Sequence, residues 1–216
     1  MLQSLYRSGA GRPMSGVARA WASISRPRMI YGYVDPGSGQ FRRFVRLGSD
    51  VVVIDRKRLS IGDHVWVGHH SVLDASEGLE IGEGAQLGVG CGVYTHGSEA
   101  SIRLLGREYV NIPADQRPGY TRGPVKIGEF AFLGAYAIVL AGVTIGKGSL
   151  VSPLSLVARD IPDYAIVSGS PARVIGDTRN VDAEHFEAFD YSRTYYDTDA
   201  LEQVREQAIG HRSSMA

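Results

Sequence analysis

The chain has 216 residues, 44% of them hydrophobic, and it carries 23 basic and 23 acidic side chains, so its formal net charge is zero. This length and composition suit one domain with a buried core and short appendages. The balanced charge argues against a broad nucleic-acid-binding surface. No apolar run approaches the roughly 20 residues that span a bilayer.

Residues 1–40 form a basic N-terminal appendage. Within it, residues 14–25 are predicted to form a short helix whose apolar side packs against the end of the following domain. Because arginines surround this segment, a weak peripheral attachment to a membrane surface is the alternative. The N-terminus shows no apolar core of the signal-peptide type.

Residues 41–176 are predicted to form the main domain, because aliphatic residues recur there every six positions. The regular positions are Ile61, Val67, Leu73, Ile81, Leu87, Val93, Ile127, Leu133, Val139, Ile145, Val151 and Val157. Small residues mostly stand four positions after each of them. Hexapeptide periodicity is typical of a parallel β-helix, in which three short strands complete one coil and stacking buries the aliphatic residues.

The interruptions of the repeat fall at one corner of the coil. Counting back, the repeat extends to Phe41 and Leu47, and the spacing lengthens to eight residues after Val53 and after Leu73. Residues 97–124 then interrupt the repeat one coil later, and we call this segment the insertion. Because long connections in compact domains are usually functional or disordered, we interpret the insertion as a protruding binding loop.

Residues 177–216 form an acidic, aromatic segment that we call the tail. Two helices are predicted in it, at residues 182–189 and 199–207, with Asp182 and Asp199 at their starts. Such helices would cover the end of the coil or cross to a neighbouring subunit.

The chain contains one cysteine, Cys91, in a small-residue position of the repeat. A lone cysteine forms no internal disulfide, which agrees with a reducing compartment, and we expect a cytoplasmic protein. We interpret Cys91 as a buried structural residue.

Three further motifs accompany the repeat: residues 94–96 (YTH) before the insertion, residues 141–146 (AGVTIG), and residues 169–173 (GSPAR) at the end of the domain. Together with the repeat they resemble the left-handed β-helix acyltransferases, and among these the sugar O-acetyltransferases of the maltose, galactoside and surface-polysaccharide type. The resemblance covers residues 53–176. It implies an all-β, left-handed parallel β-helix, a homotrimer, acetyl-CoA as co-substrate without a metal, and a sugar or sugar-conjugate acceptor in surface-polysaccharide biosynthesis.

His96 matches the catalytic histidine of that family. Acetyl transfer to a sugar hydroxyl requires removal of the hydroxyl proton as the oxygen attacks the thioester, and a positioned imidazole suits this task. We therefore predict His96 as the general base.

The resemblance also implies an acceptor site. Relatives of the galactoside type hold the acceptor with an asparagine where this chain has residues 68–70, so His69 or His70 is predicted to take over that contact. The insertion adds Arg103, Tyr109 and Tyr120, a mixture of cations and aromatic rings suited to sugars or their anionic derivatives.

For the cofactor, the resemblance implies a groove between subunits along the later coils, where small residues permit close approach of the pantetheine arm. Cations near the end of the coil would meet the phosphates. The matching residues are Gly134, Ala135, Ala141, Gly142, Ser152, Lys147, Arg159 and Arg173.

Three other functions stay open. An N-acetyltransferase of an amino sugar nucleotide would use the same scaffold with an amine acceptor. A γ-type carbonic anhydrase has two histidines five residues apart, as His64 and His69 are, but no histidine precedes His64 as the third zinc ligand. A non-catalytic scaffold would not bind acetyl-CoA.

Overall fold

The structure is a computed structural model that describes Pro13, residues 27–186, Tyr191 and residues 193–215, with side chains as far as residue 209. The helix predicted at residues 14–25 lies outside the described residues.

The described chain contains mostly very short strands. They are β1 (Met29–Val34), β2 (Phe41–Gly48), β3 (Val52–Ile54), β4 (Leu59–Ile61), β5 (Trp66–Val67), β6 (Val72–Asp74), β7 (Leu79–Ile81), β8 (Gln86–Leu87), β9 (Gly92–Val93), β10 (His96–Gly97), β11 (Thr121–Arg122), β12 (Val125–Ile127), β13 (Phe132–Leu133), β14 (Ile138–Val139), β15 (Thr144–Ile145), β16 (Leu150–Val151), β17 (Leu156–Val157), β18 (Ala165–Gly169) and β19 (Ala172–Asp177). The α-helices are α1 (Ser101–Leu105), α2 (Thr178–His185) and α3 (Thr198–Met215), and 3-10 turns occupy Arg56–Arg58, Gly106–Asn111 and Ala114–Gln116.

Successive strands of the coil belong in turn to three sheets, which we call A, B and C. Sheet A has the order β1-β2-β5-β8-β13-β16-β18-β19, sheet B β17-β14-β9-β6-β3, and sheet C β15-β12-β7-β4. The pairing is parallel except at the ends of sheet A, where β1 and β19 add antiparallel strands. Val53 pairs with Leu73 and Leu73 with Val93, which confirms the predicted stacking at intervals of twenty residues.

The aliphatic positions of the repeat form the core. All twelve regular positions, from Ile61 to Val157, are at most 2% exposed, and each such side chain contributes about 1.5–3 kcal/mol relative to an exposed one. Cys91 is also buried, and its burial raises the pKa of the thiol to about 11. The prediction that the repeat extends back to Phe41 is wrong. Phe41 is 64% exposed, because this end of β2 pairs antiparallel with β1.

Two corners of the coil matter for function. The AB corner consists of the turns between sheets A and B, at residues 48–51, 68–71, 88–91, 134–137 and 152–155. The BC corner consists of the turns between sheets B and C, at residues 55–58, 75–78, 94–124 and 140–143. The insertion belongs to the BC corner and contains β10, β11, α1 and two 3-10 turns.

The tail folds into two helices, but their starts differ from the prediction. Helix α2 begins at Thr178 instead of Asp182, because the Asp177 carboxylate accepts a hydrogen bond of 2.9 Å from the Arg179 amide and caps the helix. Helix α3 begins at Thr198, one residue before the predicted start, and continues to Met215. The two helices share a small core of their own, built around Ala183 and Val204.

Candidate active site

His96 lies at the BC corner, at the start of β10. Its Nδ1 atom is shielded from solvent and lies 2.7 Å from Oδ2 of Asp74, a charge contact whose angles fall outside regular hydrogen-bond geometry. The Asp74 side chain is fully buried, whereas 34% of the His96 side chain is exposed. The exposed part of the ring is therefore not at Nδ1.

The Asp74 carboxylate is held by its neighbours at the same corner. Its Oδ1 accepts hydrogen bonds from the Ser76 amide at 2.9 Å and hydroxyl at 2.6 Å. Its Oδ2 accepts from the Thr95 amide at 2.9 Å and hydroxyl at 3.0 Å. Burial acts to raise the pKa of Asp74, but these hydrogen bonds outweigh it and lower the pKa below its ordinary 3.8. The carboxylate is therefore ionised at neutral pH.

The insertion folds back so that Tyr120 stacks on His96, with ring centroids 5.7 Å apart and planes inclined by 19°. The pairing of β10 with β11 places Arg122 opposite His96, and the guanidinium lies 5.3 Å from the centre of the Tyr120 ring. Burial raises the pKa of Tyr120, so the phenol is neutral at neutral pH. The His96 ring is thus fixed at Nδ1 by a carboxylate and on one face by an aromatic ring.

The other two predicted acceptor residues of the insertion do not contact His96. The Tyr109 hydroxyl accepts a hydrogen bond of 2.9 Å from Arg117, whose guanidinium lies 3.9 Å from the centre of the Tyr109 ring. Arg103 is exposed and donates to the Glu99 carbonyl. These contacts hold the insertion together.

His69 and His70 lie at the AB corner, around Asp50. The Nδ1 atom of His69 is 2.6 Å from Asp50 Oδ1, and Nδ1 of His70 is 2.6 Å from Oδ2. His70 lies in the turn before β6, and Asp74 lies at the end of β6, so one strand separates the two histidine sites. They are therefore on different corners of one chain.

The predicted cofactor residues also divide between the corners. Ala141 and Gly142 belong to the BC corner, where the Gly142 amide donates to the Gly123 carbonyl at 3.2 Å. Gly134, Ala135 and Ser152 belong to the AB corner. At Gly134 an added Cβ would lie 2.4 Å from the Pro153 nitrogen, so the close stacking of coils itself requires glycine there.

The predicted phosphate-binding cations have different surroundings. Arg159 and Arg173 line one pocket of about 160 Å³, together with Pro171 and Ala172. Lys147 instead forms an ion pair of 2.7 Å with Asp197 of the tail. The Asp197 contact raises the pKa of Lys147. The structure therefore gives Lys147 a role in holding the tail, which competes with phosphate binding.

His64 stands apart from the other histidines. Its ring stacks on Phe44 with a centroid distance of 4.6 Å, while His69 faces Asp50. In the described part of the chain, no three His, Cys, Asp or Glu side chains converge as a metal site. None of the described helices is long and apolar enough to cross a membrane.

Sequence reasoning missed Asp74 and Asp50. The sequence did mark Asp74 as unusual. In most repeat units a glycine follows the aliphatic residue, as in Gly62, Gly68 and Gly82. Asp74 takes the place of that glycine, one coil before the YTH motif. Asp50 lies one coil, or twenty residues, before His70, so stacking at this interval would have predicted that pair. The same interval places Tyr94 above Asp74, and His96 stands two residues further along the chain.

Known acetyltransferases resemble this chain in sequence. Residues 124–152 match the family model described as the hexapeptide repeat of succinyl-transferase. Serine acetyltransferase 2 of Arabidopsis thaliana is 36% identical over 109 residues, 50% of this chain and 29% of the relative. Nodulation protein L of Rhizobium meliloti is 35% identical over 119 residues, 55% of this chain and 59% of the relative. Galactoside O-acetyltransferase of Lactococcus lactis is 27% identical over 157 residues, 73% of this chain and 58% of the relative.

Solved structures share the fold. A hexapeptide-repeat-containing acetyltransferase from Vibrio cholerae superposes with a TM-score of 0.53 at 24% identity, over 61% of this chain and 69% of that one. A maltose O-acetyltransferase from Clostridium difficile gives a TM-score of 0.50 at 24% identity, over 62% and 65% of the two chains. The chain spans 29% to 59% of the length of the three curated relatives named above. Residues 124–152 thus match a hexapeptide-repeat family model, and the predicted resemblance to hexapeptide-repeat acyltransferases is confirmed in sequence, by a galactoside O-acetyltransferase, and in fold, by a maltose O-acetyltransferase.

Proposed function

We propose that the protein is an acetyl-CoA-dependent acetyltransferase that acts on a hydroxyl of a sugar, with His96 as general base. The observation that carries the proposal is the His96–Asp74 pair, in which a buried, ionised carboxylate lies 2.7 Å from Nδ1 of a half-exposed imidazole. Because an ionised carboxylate accepts but does not donate a hydrogen bond, this contact favours the tautomer with the proton on Nδ1. Nε2 is then the base.

The proposed reaction is a direct transfer. Nε2 of His96 takes the proton of the acceptor hydroxyl while the oxygen attacks the thioester carbonyl of acetyl-CoA. Asp74 stabilises the imidazolium that forms, as carboxylates do beside catalytic histidines. When the carbon–sulfur bond breaks, the imidazolium returns the proton to the thiolate, which leaves as the thiol of CoA. Tyr120 keeps the ring in place throughout.

The co-substrate assignment draws on the relatives. A hexapeptide-repeat-containing acetyltransferase from Vibrio cholerae, with a TM-score of 0.51 to this chain, was solved in complex with acetyl-CoA. In our proposal, Gly134, Ala135, Ala141, Gly142 and Ser152 line the pantetheine groove. The pocket of Arg159 and Arg173 would take phosphate groups, since both arginines line the same cavity.

We further propose a left-handed coil and a homotrimer, as the resemblance implies. Two observations support assembly. The candidate residues lie on two different corners of one chain, so a groove that uses both corners needs a second chain. The outer positions of sheet B form an apolar ladder, Val52, Val72, Gly92, Ile138 and Leu156, whereas sheet C presents Ser60, Glu80, Lys126 and Thr144. Sheet B is therefore a better surface than sheet C for a second copy.

The acceptor is proposed to be a sugar or sugar conjugate used for surface polysaccharides. Relatives named for galactoside and maltose acetylation support a sugar. Tyr120 on His96 offers an aromatic ring beside the base, and His69, His70, Arg103 and Tyr109 complete the proposed acceptor contacts. A cytoplasmic location and a weak membrane attachment of the N-terminal appendage stay predictions of the sequence.

One observation favours the amine acceptor as the second candidate. An N-acyltransferase from Bacillus cereus, solved with dTDP-4-amino-4,6-dideoxyglucose and CoA, superposes with a TM-score of 0.51 at 21% identity over 68% of this chain and 89% of that one. The same base would then remove a proton from the attacking amine.

The test is the release of free thiol from acetyl-CoA in the presence of hydroxyl sugars, amino sugars and their nucleotide-linked forms. The wild type is compared with His96→Ala and with a control, His185→Ala, an exposed histidine of the tail. We expect acceptor-dependent release that falls at least about 100-fold in His96→Ala, the lower range for loss of a general base, and that His185→Ala retains. Full turnover without His96, or no release with any acceptor, would overturn the proposal.

A further inference from the structure

A pocket lies between the coil and the tail, on a different corner from His96. This third corner, the CA corner, consists of the turns between sheets C and A, at residues 62–65, 82–85, 128–131 and 146–149. The pocket has a volume of about 330 Å³, and we call it the tail pocket. One water molecule needs roughly 10–15 Å³ of such space, so the tail pocket can take a small organic molecule.

Three aromatic side chains of the described chain line the tail pocket, two from the coil and one from the tail. Phe130 is 39% exposed and Phe132 is 41% exposed. Tyr196 approaches from the tail, and its ring centroid lies 4.8 Å from that of Phe130, with the ring planes inclined by 35°. Phe132 stands at an outer position of sheet A, between Gln86 and Leu150, which also line the pocket. The tail pocket therefore offers aromatic surface to a ligand from two sides.

The backbone leaves room for two of these rings. Gly84 and Gly148 have positive φ angles of +68° and +60°, which glycine adopts without strain. A Cβ at Gly84 would overlap the Phe130 ring, and a Cβ at Gly148 would overlap the Tyr196 hydroxyl. Both rings therefore rest directly on the coil. This contact fixes them before a ligand arrives, which lowers the entropic cost of binding.

Asp182 supplies the charge of the tail pocket. It is a partly buried residue of α2 that lines the pocket, and its Oδ2 accepts a hydrogen bond of 2.7 Å from the Tyr195 hydroxyl. Within the described residues, its Oδ1 accepts no hydrogen bond and its carboxylate has no ion-pair partner. Burial raises the pKa of Tyr195 and of Tyr196, and Asp182 acts in the same direction, so both phenols are neutral at neutral pH. Among the lining residues that the structure describes, none is a lysine, an arginine or a second acid.

We propose that the tail pocket binds a small organic ammonium ion. The faces of aromatic rings attract a cation, and Oδ1 of Asp182 supplies the opposite charge. An anion would be repelled by Asp182, and an apolar ligand would bury that carboxylate without a partner. An ammonium ion satisfies both the rings and the carboxylate. This site goes beyond the proposed acetyl transfer and does not depend on it.

The test compares choline and ethanolamine with 3,3-dimethyl-1-butanol, the neutral analogue of choline in which carbon replaces the ammonium nitrogen. Binding is followed by aromatic proton–carbon NMR of the phenylalanine-labelled full chain, without acetyl-CoA and at constant ionic strength. The signals of Phe130 and Phe132 are assigned by their loss in Phe130→Leu and Phe132→Leu. We expect at least one of the two ammonium ions to shift both signals and to bind at least about tenfold more tightly than the neutral analogue. Potassium chloride should leave both signals in place.

Two variants locate the site, one on each side of the pocket. Asp182→Asn keeps the shape of the side chain and removes its charge, and Phe132→Leu removes one ring of the coil. Each should weaken binding of the ammonium ion about tenfold. Because Phe132 belongs to the coil, Phe132→Leu keeps the test valid if Asp182→Asn loosens α2. The controls are Glu184→Gln, at an exposed acid of α2, and Phe41→Leu, at the exposed phenylalanine of β2, and both should bind within about twofold of the wild type.

The outcomes are distinct. Signals that ignore both choline and ethanolamine, that respond equally to the neutral analogue, or that respond to potassium alone would overturn the ammonium site. Binding that survives unchanged in both Asp182→Asn and Phe132→Leu would also overturn it, because the ligand would then lie elsewhere. Binding of an ammonium ion by a protein that transfers no acetyl group would leave the tail pocket in place and remove the proposed function. Acetyl transfer without such binding would do the reverse.

Discussion

At the scale of single residues, the candidate chemistry depends on carboxylates that fix imidazoles. Asp74 meets His96, and Asp50 meets His69 and His70, each at 2.6–2.7 Å from an Nδ1 atom. Asp74 is fully buried and has four hydrogen bonds to keep it ionised, whereas Asp50 is partly exposed. The buried, fully satisfied carboxylate suits a ring that changes its charge during turnover. The more exposed one suits rings that only bind.

The first prediction at this scale concerns Asp74→Asn. The amide has no negative charge and presents an NH₂ group to donors or to Nδ1, so His96 loses the favoured tautomer. We expect kcat to fall by up to about 10⁴-fold with little change in either KM, the loss known for a carboxylate that orients a catalytic histidine. Initial rates per folded molecule, after correction by circular dichroism, measure this.

Ser76→Ala is the control for that experiment. It removes one hydrogen bond to Oδ1 of Asp74 and leaves the contact between Oδ2 and His96 in place. A loss of stability of about 1 kcal/mol, with a much smaller loss of kcat than in Asp74→Asn, is the expected result. If Asp74→Asn turns over as fast as the wild type, Asp74 has no part in catalysis.

At the scale of elements, the coil and the tail are joined by a small group of charged and aromatic residues. Asp197, just before α3, is paired with Lys147 at 2.7 Å and accepts a hydrogen bond from the Tyr164 hydroxyl. Thr178, the first residue of α2, donates to the Gly148 carbonyl at 2.9 Å. Burial acts to raise the pKa of Asp197, but the contacts with Lys147 and Tyr164 lower it to about 2.

Asp197→Asn should therefore loosen the tail in a pH-dependent way. Because the folded pKa lies below the unfolded one, the carboxylate contributes stability above about pH 4 that is lost as the pH falls towards about 2. The pKa of Lys147 is raised, so the stability that the protonated Lys147 contributes is present below about pH 10 and is lost only at higher pH. We expect a loss of about 1–3 kcal/mol at neutral pH, as for a hydrogen bond to a charged group.

Thermal unfolding at a series of pH values measures this difference, with Glu202→Gln as the control. Glu202 forms an exposed pair with Arg205 within α3, and such surface pairs contribute little. If the difference in melting temperature between Asp197→Asn and the wild type persists unchanged at about pH 2, the low pKa does not belong to Asp197.

At the scale of the whole molecule, two faces of the coil differ in character. The outer residues of sheet B are apolar, and those of sheet C are polar, with an ion pair of 3.5 Å between Lys126 and Glu80. The candidate residues lie at the two corners that border sheet B. A second copy packed against sheet B would therefore reach both corners, which is the arrangement that a shared groove requires.

Leu156→Glu tests this arrangement. In the proposed trimer, a carboxylate in the apolar ladder of sheet B would be buried without a partner, so we expect the variant to be monomeric. Thr144→Glu, at an exposed outer position of sheet C, is the matched control and should leave the trimer intact. Sedimentation velocity gives the mass of each variant. An unchanged trimer in Leu156→Glu would exclude sheet B as the interface. A monomeric wild type would exclude the proposed trimer.

The sequence by itself determined the parallel stacking, the core and the corner at which the insertion leaves. These features follow from a local period: Leu73 and Val93 are twenty residues apart, and the same rule buries each aliphatic residue. The tertiary structure alone decided the contacts of Asp74 with His96, of Asp50 with His69, and of Lys147 with Asp197. These depend on side-chain directions at the corners and on the path of the tail, which no hexapeptide period encodes.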